Sequence, residues 1–300
     1  MDAPTRPAKA KIPELTADLS VGDGLQEMLA GAHGALSRRA NDARYPTAEA
    51  VHRFRVGLRR LRSILSAFGD AFPERERRAL SDRLRAVAQR YGRAREWDVF
   101  LEGSIAPLRA ALPEEAALAA LERLARKARR AALPPGDTLK SHLAAIEHAI
   151  AEAAWLRRPA PSRAEIWAMP LRDYAVGLLD QRHRKLRKRL KHVDLADAAS
   201  FHQLRIRVKK LRYPIELLKS LFDEDLAENY LERLIQLQDL MGRMNDARVG
   251  SALMQALAPP PPPPAQHLLA GWMAREIATC RERFPARARA FRRADPFWEA

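Results

Sequence analysis

Apolar residues recur every three to four positions along most of the chain, and no stretch of useful length alternates as a strand would. The clearest examples are two segments with the same design. In the first, Phe54, Leu58, Leu61, Leu65 and Phe68 form one side of a helix. In the second, Leu204, Val208, Leu211, Ile215 and Leu218 do the same. Opposite each apolar back lies a basic front. His52, Arg55, Arg59 and Arg62 fall within an arc of about 80° at helical spacing, and His202, Arg205, Lys209 and Arg212 repeat it. Arg60 and Lys210 sit about 80° to the other side of the histidine. Each helix is therefore expected to bury one face and aim the other at something anionic.

The same reading predicts a chain of helices. The first runs over 21–44, ends at Tyr45-Pro46, and Thr47 offers an N-cap for the helix carrying the first basic front. Helices follow over 74–91 and from Gly92, with Pro107 and Pro113 bracketing a turn. Two more cover 114–132 and, after a turn at Pro134-Pro135-Gly136, the stretch to about Trp155. Further helices are expected over 171–192, 197–221, 224–241, from Asp246 to about 257, and 266–293. Pro259 to Pro264 read as a stiff spacer that no helix crosses. The N-terminal residues 1–20 read as a loose lead-in.

The two basic segments lie 150 residues apart, and the correspondence extends beyond them. Leu29, His33 and Leu36 match Leu179, His183 and Leu186. Phe72, Glu74, Arg83 and Gly92-Arg93 match Phe222, Glu224, Arg233 and Gly242-Arg243, without a gap. The expected fold is all-α: two homologous antiparallel bundles of four-helix type over 21–158 and 171–300, joined by a linker at 159–170. A pseudo-two-fold would bring the two basic fronts around a central cavity.

Charge sharpens the picture. The 300 residues hold 53 Lys and Arg against 37 Asp and Glu, a net +16, which calls for a polyanionic partner. A single cysteine, Cys280, excludes an intrachain disulfide and suits a reducing compartment. No apolar run approaches the ~18 residues of a membrane span, and no signal-peptide pattern opens the chain. A cytoplasmic protein is expected.

The pattern His52-x-x-Arg55-Val56-x-x-Arg59-Arg60-Leu61-Arg62, and its partner ending Lys209-Lys210-Leu211-Arg212-Tyr213, resemble the signature of the CHAD domain, the conserved-histidine α-helical domain. Leu19-Ser20-Val21-Gly22 resembles the start of that family. Tyr91-Gly92-Arg93-Ala94-Arg95-Glu96 and Met241-Gly242-Arg243-Met244-Asn245-Asp246 resemble its Leu-Gly-x-x-Arg-Asp segments, with Glu96 in place of Asp. The resemblance covers about 19–295. It implies a basic central cavity that binds inorganic polyphosphate, lined by His52, Arg55, Arg59, Arg60 and Arg62 from one half. The other half would supply His202, Arg205, Lys209, Lys210, Arg212 and Tyr213. The family often carries a CYTH domain, for which this chain has no room. Association with polyphosphate granules follows from the resemblance alone.

Several positions keep a structural reading beside the functional one. His33 and His183 lie on apolar stripes, where an interior histidine competes with a ligand contact. Arg39, Arg93, Arg187, Arg189 and Arg243 are secondary cavity candidates. Glu96, Asp98 and Asp246 read as partners that orient cavity arginines, or as caps. His52 and His202 could bond phosphate, hold a metal or accept a phosphoryl group. No carboxylate shares their face, so phosphate is favoured over metal. No phosphate loop, nucleophile elbow or metalloprotease motif is present, so neither catalysis nor a cofactor is expected. Two other readings compete. Nucleic acid suits the charge but lacks aromatic platforms, and a phosphoanhydride-processing enzyme lacks an acidic Mg²⁺ cluster.

Overall fold

The structure, a computed structural model, describes residues 14–40, 47–134 and 138–299. The described residues form twelve α-helices and no strand. They are α1 Val21–Ala40, α2 Ala48–Ala67, α3 Glu74–Arg90, α4 Gly92–Phe100, α5 Ala106–Ala111 and α6 Ala116–Ala131. The rest are α7 Thr138–Glu152, α8 Ala164–Ala168, α9 Leu171–Lys191, α10 Ala198–Leu218, α11 Glu224–Gln255 and α12 Pro263–Arg292. The all-α reading holds. Residues 1–13 of the expected lead-in, the Tyr45-Pro46 break and Pro135-Gly136 lie outside the described residues. No helix among the described residues is long and apolar enough to cross a membrane.

The helices that carry the basic fronts start where local chemistry says they should. Thr47 accepts a hydrogen bond from the Ala50 amide (3.1 Å), capping α2. Asp197 accepts from Ala199 and Ser200 (3.2 and 2.7 Å), capping α10. Ahead of α1 and α9 the chain pairs with itself. The Val21 amide donates to Met169 O and the Leu171 amide to Leu19 O, both at 2.9 Å. These two bonds exchange under a shift of 150 residues, which is the pattern of a local two-fold.

Three expected boundaries differ. Residues 92–111 form a nearly continuous rod, because a π-helical turn at Leu101–Ile105 joins α4 to α5. Pro107 falls in the first turn of α5, where its missing amide costs nothing, and the reversal comes at 112–115 instead. Helix α11 runs straight through Gly242–Asp246, where a break was expected. Leu237, Leu240, Met241, Met244 and Ala247 carry its buried stripe across without interruption. The proline run is shorter than a spacer: α12 begins at Pro263, so Pro263 and Pro264 form its first turn. The reversal at 256–262 lays α12 along α11. Within 159–170, α8 buries Trp167, whose Nε1 donates to Ala71 O (2.7 Å), so this segment belongs to the core.

The apolar core divides three ways. One cluster joins Leu25, Met28 and Leu36 of α1 to Phe54, Leu58 and Leu61 of α2, and takes in Leu171 and Leu218 from the second half. A second holds Leu179, Leu204, Leu211, Tyr230, Leu234, Phe291 and Trp298. The third is built by both halves: Trp97, Phe100, Leu118 and Leu121 pack with Leu253, Leu257, Leu269 and Met273. Each such side chain contributes about 1.5–3 kcal/mol on burial. Gly57 allows the closest approach of α1 and α2, since a Cβ there would stand 2.7 Å from Leu36 Cδ1. With their backs held in these cores, α2 and α10 pack on each other at the centre.

Candidate functional site

Where α2 meets α10 the two basic fronts enclose a cleft with two compartments. The larger, of about 520 Å³, is lined by Arg59, Arg60 and Ser63 of α2 and by Arg205, Lys209, Arg212, Tyr213 and Glu216 of α10. Gln238, Asp239, Gly242, Arg243 and Asp246 of α11 close its side. The smaller, of about 310 Å³, is lined by Arg59, Arg62, Ser63, Ser66, Lys209, Lys210 and Tyr213, with Arg182 reaching in from α9. Arg59, Ser63, Lys209 and Tyr213 belong to both and form the waist. They are two pairs 150 residues apart, Arg59 with Lys209 and Ser63 with Tyr213.

The larger compartment sets six cations against three carboxylates, and the smaller five cations against none. This crowding shows in the ionisation of its members. Burial, then the charges of Arg205, Arg59 and Arg212, push the Lys209 amine down to about 8, with Asp246 pulling the other way. Burial also lowers the Arg205 and Arg62 pKa values. The Asp246 carboxyl is raised by desolvation, against the pull of Arg205, Lys209 and Arg95. Several cations are fixed in place: Arg205 Nη1 donates to Met241 O (2.6 Å), and Arg212 Nη2 pairs with Glu216 at 2.8 Å. The Arg59 guanidinium lies 5.6 Å from the Tyr213 ring centroid. Arg182 donates to Ser66 O (2.7 Å) and to Lys210 O, tying α9 to both basic helices. Preorganised guanidiniums of this kind suit bidentate contacts to phosphate oxygens.

Of the residues singled out in the sequence, Arg59, Arg60, Arg62, Arg205, Lys209, Lys210, Arg212, Tyr213 and Arg243 meet in this cleft. His52, Arg55 and His202 line neither compartment. The histidines precede Arg59 and Lys209 by seven residues, about 10 Å back along each helix. His52 is half-buried, and burial with the Arg95, Arg59 and Arg55 charges lowers its pKa. His202 is exposed. Arg55 is turned onto Ala88 O at the end of α3.

Most of the secondary candidates stand elsewhere. His183 is an interior residue, 3% exposed, with Nδ1 2.6 Å from the Tyr230 hydroxyl and the Phe291 and Trp298 rings around it. Burial lowers its pKa, so it is a neutral core histidine and not a ligand contact. His33 stands 3.9 Å from Glu147 on α7. Arg93 pairs with Glu96 (3.3 Å) over the Trp97 ring, Arg187 is exposed, and Arg189 donates to Ser200 O (3.2 Å). The Arg39 side chain lies outside the described residues. Asp98 is buried against Arg129 of α6 (2.8 Å), so it orients a core arginine and not a cavity one. Asp246, in contrast, does face the cleft cations.

Sequence reasoning missed Arg182. The position that matches Arg182 in the repeat is Ala32, so comparing the halves discards it. Arg95, two residues past the chosen Arg93, acts on His52, Arg55 and Asp246 together. Among the described residues, no group of three or more His, Cys, Asp or Glu is poised to hold a metal.

The profile of the CHAD domain family matches residues 27–255. Among solved structures, the fold is similar to the crystal structure of the CHAD domain from the plant Ricinus communis (TM-score 0.68, 25% identity, 96% of each chain covered). It is similar also to PptA from Streptomyces chartreusis (TM-score 0.64, 19% identity, 90% of this chain and 99% of that one). No curated protein matches the chain. With the profile spanning well over half of its length, the chain belongs to the CHAD-domain family.

Proposed function

We propose that this chain is a non-catalytic binding module for inorganic polyphosphate, with the cleft between α2 and α10 as its binding site. The observation that carries this reading is the smaller compartment: five cations from three helices converge there with no carboxylate among the lining residues. Like charges held so close cost free energy in the free protein, and a polyanion removes that cost. The family is linked to polyphosphate binding in general, which supports the same ligand. A linear phosphate chain would bind mainly by charge neutralisation and counterion release, so its affinity should fall steeply with salt. Binding rather than turnover is favoured because Glu216 is paired with Arg212 and Asp246 stands among the charges of Arg205, Lys209 and Arg95. Association with cytoplasmic polyphosphate granules is part of this proposal.

The test is long-chain polyphosphate binding against salt, for the wild type and for Arg59→Ala with Lys209→Ala. Two charge-assisted contacts at about 1.5–3 kcal/mol each make the expected loss at least ~100-fold, with the thermal transition retained. A folded double variant of wild-type affinity would place the site elsewhere. Displacement by DNA or RNA at equal phosphate concentration would assign the cleft to nucleic acid. Sustained phosphate release with Mg²⁺ would make the protein an enzyme.

A further inference from the structure

More cations lie beside Arg182 and Lys210, at the edge of the smaller compartment. Beyond them, in the groove between α9 and α10, Lys185 and Arg207 come next, and Arg189 follows one turn later with its guanidinium turned to Ser200 O of α10 (3.2 Å). From Arg182 to Arg189 the row runs about 10 Å along α9. Lys185 and Lys210 are exposed, and Arg182 and Arg207 are partly so. The Lys210 ammonium is held below its ordinary pKa by burial and by Arg207, Arg182 and Lys185, with no carboxylate acting in the other direction.

Lys185, Arg207 and Lys210 have no ion pair among the described residues, so nothing local offsets their charge. The repeat sets this groove apart from ordinary basic surface. The positions matching Arg182, Lys185 and Arg207 are Ala32, Ala35 and Gly57, all buried where α1 packs tightly on α2. The first half fills these positions with small buried residues, while the second places cations there that reach the surface.

We propose that the α9–α10 groove is a second anion subsite, a track that takes the continuation of a linear polyphosphate leaving the smaller compartment past Arg182. It rests on the polyphosphate reading of the cleft and adds a direction of exit and a preference for long chains. A short oligophosphate fits within the cleft and makes no use of the track. A long one gains the Lys185 and Arg207 contacts.

The experiment compares Lys185→Gln with Arg207→Gln against a control of equal charge removal, Arg123→Gln with Lys127→Gln on α6, which packs on α4 and α12. Affinity and salt slope are measured for tripolyphosphate and for long-chain polyphosphate. Removing two phosphate contacts should lower the long-chain salt slope by roughly 1.5–2 and its affinity about tenfold or more at moderate salt. Tripolyphosphate binding should stay within about twofold in both variants, as should long-chain binding in the control. The track is refuted if long-chain loss is no greater than in the control, if tripolyphosphate loses as much, or if RNA binding falls in place of polyphosphate binding. Should the double variant melt early, Lys185→Gln alone, at an exposed position, gives the same comparison with about half the slope change. A wild type that binds neither phosphate refutes the cleft reading itself. A wild type that binds both, with unchanged variants, refutes only the track.

Discussion

Lys209 is the residue on which the chemistry of the cleft turns. It stands at the waist, and it is the one amine in a larger compartment whose other cations are guanidiniums. Its amine is pushed down to about 8 in the folded protein, from 10.5. The unfolded chain therefore binds more protons between these values, and stability rises with pH across that window. Below pH 8 the cost of the buried ammonium is fully present. A polyanion favours the charged amine, so binding draws a proton onto Lys209 when the pH is near or above 8. We expect long-chain polyphosphate affinity to fall as pH rises from 7 to 9.5, and Lys209→Arg to abolish the fall while keeping binding at pH 7. Titrations of both proteins at four pH values decide this; parallel profiles would remove Lys209 from the mechanism. At this scale the sequence was legible for the cations and not for the histidines. Helical spacing places Arg59 and Lys209 on the fronts of α2 and α10, but how far along the front the cleft opens depends on where the helices meet.

At the scale of single elements, local signals predict starts better than ends. Thr47 and Asp197 cap α2 and α10, the two helices that hold the cleft. Thr47→Ala and Asp197→Ala should each cost about 1 kcal/mol by urea denaturation. Polyphosphate affinity at saturating stability should stay unchanged, since neither cap lines the cleft. A loss below a few tenths of a kcal/mol would mean that packing alone fixes these helix starts. Helix ends were read less well, because a glycine or a proline is only a permission to stop. Gly242 sits inside α11, whose buried stripe on both sides outweighs the weak preference of one glycine. Pro107 and Pro263 open helices instead of ending them, as first-turn prolines do. The signal for this was present in principle, since helical stripes resume directly after each of them.

For the whole molecule the third core matters most. Trp97, Phe100 and Leu121 from the first half are covered by Leu253, Leu269 and Met273 from the second. Neither half can bury the apolar surface of this third core alone. The reciprocal pairing of Val21 with Met169 and Leu171 with Leu19 joins the halves again at the start of α1 and α9. A fragment ending at residue 163 should therefore show no sharp thermal transition and should bind a hydrophobic dye, and so should the fragment beginning at 164. Mixing the two should restore a cooperative transition. A half that melts sharply by itself would refute the shared core. The cleft depends on the same arrangement, because its walls come from α2 in one half and from α9, α10 and α11 in the other.

The sequence by itself determined the helical class, the pairing of α2 with α10 across the 150-residue repeat, and the cationic fronts that meet in the cleft. These properties are periodic along the chain, and a helix converts such periods directly into faces. Tertiary structure alone decided which parts of each front line the cleft, that His183 is a core residue, and that Arg182 belongs to the site. It also decided that the halves share a core. Each of these depends on where two distant helices cross, and so on the packing of side chains between them. A crossing point leaves no period in the sequence, and at Arg182 the repeat pointed the wrong way, since its counterpart is the buried Ala32.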